Sequence, residues 1–200
     1  MQRVLTEIRI AGFGGQGVIL AAAVIGKAAA LFEGGYATMT QSFGPEARGG
    51  SSSAQVILSS EPILYPYVTH PDILVVMSQE AATRFAPQLK PGGILITEQE
   101  LVRVDHYPVG VRVYGVPATR LAEELGRKVV LNIVMTGFFG AVTGLLDREA
   151  LRKAVADSVP PSMQKLNLEA FDKGYEYGAH LMVQMEANGN GDAALALESA

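Results

Sequence analysis

Thr6-Glu7-Ile8-Arg9-Ile10-Ala11, followed at once by Gly12-Phe13-Gly14-Gly15-Gln16-Gly17, is the stretch that decides the fold. Its first half carries β-branched residues alternating with polar ones, the pattern of a strand. Its second half is a G-x-G-x-x-G, and the alanine-rich residues 17–32 behind it read as a helix stopped by Gly34-Gly35. A strand that turns through glycines into a helix is the opening unit of a parallel α/β sheet.

The same alternation continues along the chain. Strands are expected at residues 36–40, 52–58, 73–77, 94–97 and 111–116, with residues 41–50 as a loop rich in glycine and polar groups. Helices are expected at 79–85, capped by Ser78, and at 118–125, opened by Pro117. Three more follow at 132–145, 148–156 and 162–185. With no repeat and no long linker, the expectation is one domain over residues 1–185 and a flexible tail at 186–200. Its class is α/β: a three-layer, mostly parallel Rossmann-like sheet with helices on both faces.

Composition limits the chemistry. The chain has 200 residues, 48% of them apolar, enough to bury a real core. It has no cysteine, which excludes a disulfide framework, a thiol nucleophile and a thiolate-ligated zinc or iron–sulfur centre. A net charge of −4 argues against nucleic acid or an anionic membrane as partner. No apolar signal segment follows Met1, so a cytoplasmic location is expected. Residues 129–146 carry no charge and are just long enough to be weighed as a membrane span. Asn132, Thr136, Thr143 and three glycines favour a buried core helix instead, in which Gly140-x-x-x-Gly144 lets a neighbour approach.

Two loops can carry function. In the first, Gly12, Gly14, Gly15, Gln16 and Gly17 would bring unencumbered amides to an anion at the positive end of a helix. The alternative is a tight turn that packs helix on sheet without a ligand. Dinucleotide binding further needs an acidic residue at the end of the second strand, and that strand ends in Thr40-Gln41, with Glu33 too early. NAD is therefore disfavoured. The second loop is Gln41-Ser42-Phe43-Gly44-Pro45-Glu46-Ala47-Arg48-Gly49-Gly50. Arg48, presented among glycines, can take a phosphate or carboxylate in bidentate fashion. A structural Glu46–Arg48 or inter-subunit ion pair explains the same residues. Both loops are expected to leave the carboxyl ends of neighbouring strands and line one crevice. His70, His106 and His180 show no ligand spacing, and no nucleophile–base or paired-carboxylate set can be assembled. The chain reads as a binding half without a catalytic half.

These loops strongly resemble the gamma subunit of 2-oxoacid:ferredoxin oxidoreductases. The likeness rests on Gly12-Phe13-Gly14-Gly15-Gln16-Gly17-Val18 and on Gly44-Pro45-Glu46-Ala47-Arg48-Gly49-Gly50. It runs on through Glu61-Pro62-Ile63, Pro71-Asp72-Ile73-Leu74-Val75, Met77-Ser78-Gln79-Glu80-Ala81 and Leu89-Lys90-Pro91-Gly92-Gly93, to Asn132 and Gly137. The form of the second loop is closest to the 2-oxoglutarate-acting members, with pyruvate and branched-chain 2-oxoacids as the alternatives.

The resemblance implies a reaction: 2-oxoglutarate, coenzyme A and oxidised ferredoxin give succinyl-CoA, CO2 and reduced ferredoxin, with the reverse direction open. It implies alpha and beta partner subunits, with a ferredoxin-like delta subunit in some complexes. Thiamine diphosphate with Mg and the [4Fe-4S] clusters would sit on those partners, leaving this chain inactive alone. It implies that this chain contributes coenzyme A binding and site closure, with Gly12, Gly14, Gly15, Gln16, Gly17, Ser42, Gly44, Glu46, Arg48, Gly49 and Gly50 as the candidate contacts. Two other readings stay open: a free-standing NAD(P)-binding Rossmann oxidoreductase, and a purely structural assembly subunit.

Overall fold

Alternating apolar residues build a sheet that is buried on both faces. In β4 (Ile73–Val76), Ile73 and Val75 belong to one core and Leu74 and Val76 to the other. β5 (Ile94–Glu98) divides the same way, Ile94 and Ile96 against Leu95, because successive side chains of a strand point to opposite faces. The computed structural model describes residues 5–44 and 50–188. Within them, β1 (Leu5–Phe13), β2 (Tyr36–Phe43), β3 (Ser51–Ser59) and β6 (Arg112–Val116) complete one sheet of order β2-β3-β1-β4-β5-β6. β1, β4, β5 and β6 pair in parallel, and β3 runs antiparallel to both β1 and β2. The expected α/β sheet, mostly parallel, is present.

The layers are unequal. α1 (Val18–Lys27), α3 (Ala118–Glu124), α4 (Leu131–Thr143), α5 (Arg148–Ser158) and α6 (Pro161–Ala187) share the larger core. On the other face the described residues supply one α-helix, α2 (Gln79–Phe85), whose Ala81, Ala82 and Phe85 pack on Leu74, Val76 and Leu95. Ser78 caps it as expected, its hydroxyl accepting from the Ala81 amide at 3.2 Å. α6 extends to Ala187, into the stretch expected as tail, and residues 189–200 lie outside the described residues.

Three expectations are corrected. The helix at 17–32 is α-helical only to Lys27, and Ala28–Phe32 continues as a π-helix. The second strand does not stop at Thr40: Gln41, Ser42 and Phe43 stay in the sheet, opposite Ala54, Ser53 and Ser52. Finally, β1 and β2 are not neighbours. β3 runs antiparallel to both and lies between them.

The uncharged stretch at 129–146 forms a core helix. Every α4 residue from Leu131 to Gly140 is buried, and no helix among the described residues is long and apolar enough to cross a membrane. Its closest approach uses other glycines than the spacing indicated. A Cβ on Gly137 would lie 2.1 Å from the Phe171 carbonyl oxygen, and one on Gly174 only 2.0 Å from the Val134 carbonyl oxygen. α4 and α6 therefore meet backbone to backbone. Gly140 faces Leu151 of α5, while Gly144 adopts φ 57° and caps α4 without a close neighbour.

At the amino ends of β1 and β4, Lys90 Nζ donates to Glu7 Oε2 at 2.7 Å and Asp72 Oδ1 at 2.8 Å, while Asp72 Oδ2 accepts from the Glu7 amide at 2.7 Å. Burial alone would lower the Lys90 pKa. Hydrogen bonds and charges from Asp72 and Glu7 outweigh it, and the pKa rises above 10.5.

Candidate functional site

The opposite ends of β1 and β4 form the candidate site. The chain leaves β1 for α1 on one face and leaves β4 for α2 on the other, so the crevice between them is a topological switch point. Gln16 ties its two sides together: its Oε1 accepts from the Phe13 amide at 2.6 Å, and its Nε2 donates to the Met77 carbonyl at 2.8 Å. This fold-back needs Gly12, where a Cβ would lie 2.5 Å from Gln16 Oε1.

Gly17 is the N-cap of α1 at φ 74°, with Asn132 against it; a Cβ there would meet Asn132 Cγ at 2.5 Å. Asn132 Nδ2 donates to the Gly17 carbonyl at 3.2 Å, so α4 holds the loop from behind. Gly15 sits at φ 98° with open space where a Cβ would be. No side chain caps α1 and its first turn carries no acidic residue, so no side chain answers the positive end of this helix among the described residues.

The two glycine loops do meet. Gly14 donates its amide to the Gly50 carbonyl at 2.8 Å, and Gly44 donates to Ser51 at 2.7 Å to close the mouth of the hairpin. The amides of Gly14 and Gln16 are thereby consumed inside the protein, since Gln16 also bonds Phe13 at 3.1 Å, so only part of the loop is free for an anion. Sheet register carries the contact further, because Ser52 lies opposite both Gly12 and Phe43, and Ser53 opposite both Ala11 and Ser42. Pro45, Glu46, Ala47, Arg48 and Gly49 lie outside the described residues.

Between this seam and α2 lies a cleft of about 190 Å³. Gly12, Ser42 and Gly44, all expected at the site, line it together with Ser51, Ser52 and Ser53. Glu80, Arg84 and Phe85 of α2 form the facing wall and were not singled out as site residues. The helical period places Glu80 and Arg84 one turn apart on a common face, which was the available signal. The sequence does not say which sheet face α2 covers.

Arg84 has no carboxylate within 4 Å among the described residues, and its guanidinium carbon lies 5.0 Å from the Phe85 ring centroid. The same ring has a second cation 4.8 Å away, the buried Arg9, which donates to the Val68 carbonyl at 2.7 Å and to Gln88 Oε1. Burial, and then the charge of Arg84, lower the Arg9 pKa below the ordinary guanidinium value. Both hydrogen-bond partners of Arg9 among the described residues are neutral, so behind Phe85 its charge adds to that of Arg84, while Glu80 supplies the one carboxylate of the α2 wall. No group of three or more acidic or histidine side chains suited to a metal occurs among the described residues, and the sequence offers no cysteine.

Strand order, switch-point crevice and glycine seam define a doubly wound α/β domain with a glycine-lined crevice at the carboxyl ends of β1 and β4. Residues 7–177 match the family described as pyruvate ferredoxin/flavodoxin oxidoreductase, and the chain belongs to that family. The 2-oxoglutarate synthase subunit KorC of Methanocaldococcus jannaschii is 47% identical over 88% of this chain and 95% of its own length. The pyruvate synthase subunit PorC of Methanothermobacter thermautotrophicus is 35% identical over 90% of this chain and 100% of its own. The crystal structure of a keto/oxoacid ferredoxin oxidoreductase gamma subunit from Geobacter sulfurreducens superposes with a TM-score of 0.79 at 36% identity, covering 88% of this chain and 98% of that one. The 2-oxoglutarate:ferredoxin oxidoreductase of Magnetococcus marinus, solved with 2-oxoglutarate, coenzyme A and succinyl-CoA bound, gives 0.75 at 26% identity. That match covers 88% of this chain and 31% of the longer one. The likeness to oxidoreductase gamma subunits read from the loops is borne out.

Proposed function

We propose that this chain is the gamma subunit of a 2-oxoglutarate:ferredoxin oxidoreductase and contributes coenzyme A binding and site closure to it. The observation that carries the substrate is the 47% identity to a 2-oxoglutarate synthase subunit over nearly its whole length, against 35% to the pyruvate synthase subunit. Geometry supports a binding role. The cleft offers serine residues of β2 and β3, the backbone of Gly12 and Gly44 and the Arg84 cation, but no nucleophile–base pair among the described residues, and the uncapped end of α1 lies beside it across the sheet. These groups fit the phosphates of coenzyme A. Gly12, Ser42 and Gly44 line the cleft; Gly14, Gly15, Gln16, Gly17 and Gly50 belong to the seam beside it, and Glu46, Arg48 and Gly49, outside the described residues, complete the proposed contacts.

When bound, coenzyme A supplies the thiol that accepts the acyl group. This chain's part is to hold the phosphate-bearing end and exclude water from the crevice. The [4Fe-4S] clusters belong to partner subunits in this reading, because this sequence has no cysteine to ligate one, and the family resemblance assigns thiamine diphosphate with Mg to alpha and beta partners. Exposed Phe43, Leu64, Tyr65 and Tyr67 favour a chain that works inside an assembly.

Purification of the chain from its source is expected to bring thiamine- and cluster-binding subunits with it; a self-sufficient monomer or homodimer overturns the proposal. In the assembled complex, Arg48→Ala should raise the KM for coenzyme A roughly tenfold and leave the KM for 2-oxoglutarate alone. An unchanged coenzyme A dependence removes Arg48 from the site.

A further inference from the structure

We propose that Arg84 and Glu80 on α2 form a two-point ligand site across the cleft from the glycine seam: Arg84 holds a phosphate oxygen, and Glu80 accepts a hydrogen bond from a donor on the same ligand. The inference rests on reading the cleft as the place where a phosphate-bearing ligand enters. Neither residue belongs to the loops that drew attention to the site.

Four observations carry it. Both side chains line the cleft opposite the Ser52 and Ser53 positions. They stand one turn apart yet form no ion pair, so charges of both signs are available to a ligand. Arg84 is held in place: it stacks 5.0 Å from the Phe85 ring, and α2 is locked on its far flank. There Gln79 Oε1 accepts from the Arg103 amide at 2.8 Å, and Gln79 Nε2 donates to the Arg103 carbonyl at 2.9 Å. Lastly, buried Arg9 shares the Phe85 ring and its hydrogen-bond partners among the described residues are neutral, so two guanidinium groups stand together against the single carboxylate of Glu80.

A guanidinium in this position favours a group with several negative oxygens, and a diphosphate or phosphomonoester suits it better than a single carboxylate. Glu80 repels a bare inorganic anion and accepts from an amide, amine or hydroxyl beside the phosphate. The site therefore selects a phosphate that carries such a donor. An inorganic phosphate has no donor apart from its own acidic oxygens, whereas coenzyme A carries amine, hydroxyl and amide donors in its adenosine and pantetheine parts.

The test is calorimetric titration of the purified full-length chain and of R84Q, R84K and E80Q with two probes, inorganic diphosphate and coenzyme A. Circular dichroism and thermal melting check that each variant is folded. R84Q should weaken both probes about tenfold or more, with R84K in between. E80Q should tighten diphosphate and weaken coenzyme A. Coenzyme A bound equally by wild type and R84Q overturns the inference and leaves the proposed function standing. Diphosphate bound through Arg84 with no affinity for coenzyme A supports the site and overturns the coenzyme A reading. Binding of neither probe to the folded wild-type chain overturns the inference. E80Q that leaves both affinities unchanged removes Glu80 from the pair.

Discussion

Gly15 and Gly17 differ in what they require, although the motif writes them alike. Both adopt positive φ, 98° and 74°, but Gly15 faces open space while Gly17 faces Asn132. Gly15→Ala should cost about 1 kcal/mol of backbone strain, and Gly17→Ala about 3 kcal/mol because Asn132 must also be displaced. Thermal unfolding resolves the two, at about 2–4 °C per kcal/mol for a chain of this size. Equal losses would show that Asn132 yields freely. The motif located these glycines because strand, turn and helix are local. It did not locate Asn132 as their support, which comes from α4, more than a hundred residues away. Nor did it give Gln16 its task of bridging Phe13 to Met77, since that bond crosses between strands.

Elements were legible to within a residue or two wherever the apolar period was clear, as in α2 and β5. Their pairing was not. The spacing pointed to Gly140 and Gly144 as contact glycines, whereas the structure brings Gly137 against Phe171 and Gly174 against Val134. Helix period shows which residues share a face, but only the crossing of two helices shows which glycine the partner's backbone touches. Gly174→Ala should cost about 3 kcal/mol or more, since the atom in the way is a carbonyl oxygen that cannot rotate aside. Gly26→Ala in α1 should stabilise by about 0.5–1 kcal/mol. Its added methyl meets nothing nearer than 3.9 Å, and alanine is the better helix former. Urea midpoints compare both with wild type.

At the scale of the molecule the order β2-β3-β1-β4-β5-β6 separates two ends of the sheet with different duties. The carboxyl ends of β1 and β4 carry the candidate site, and their amino ends are fastened by Lys90 with Glu7 and Asp72. The Lys90 pKa is raised in the folded chain, so its contribution to stability is complete below the unfolded value. It is lost as pH rises through the folded one, above 10.5. Partial exposure and screening keep that contribution near 1 kcal/mol. Lys90→Met should thus lower stability by about that amount at neutral pH, and the gap to wild type should close under strongly alkaline conditions, as followed by denaturant unfolding. A gap that persists there would assign the loss to packing. The α/β class and the meeting of the two loops followed from the sequence. The reversed β3 was not expected, although its signal was there: seven residues separate Phe43 from Ser51, and a parallel crossover needs about a dozen or more.

α4 has another consequence. It is buried on nearly every side, with α3, α5 and α6 around it, and its first turn braces Gly17 through Asn132. No single neighbour can detach and leave its amides wet, so those amides meet solvent only when the whole domain opens. The crevice loop thus leans on the segment that is last to unfold. Its shape persists through local fluctuations elsewhere, and a ligand arriving there meets a wall already set rather than one it must first assemble.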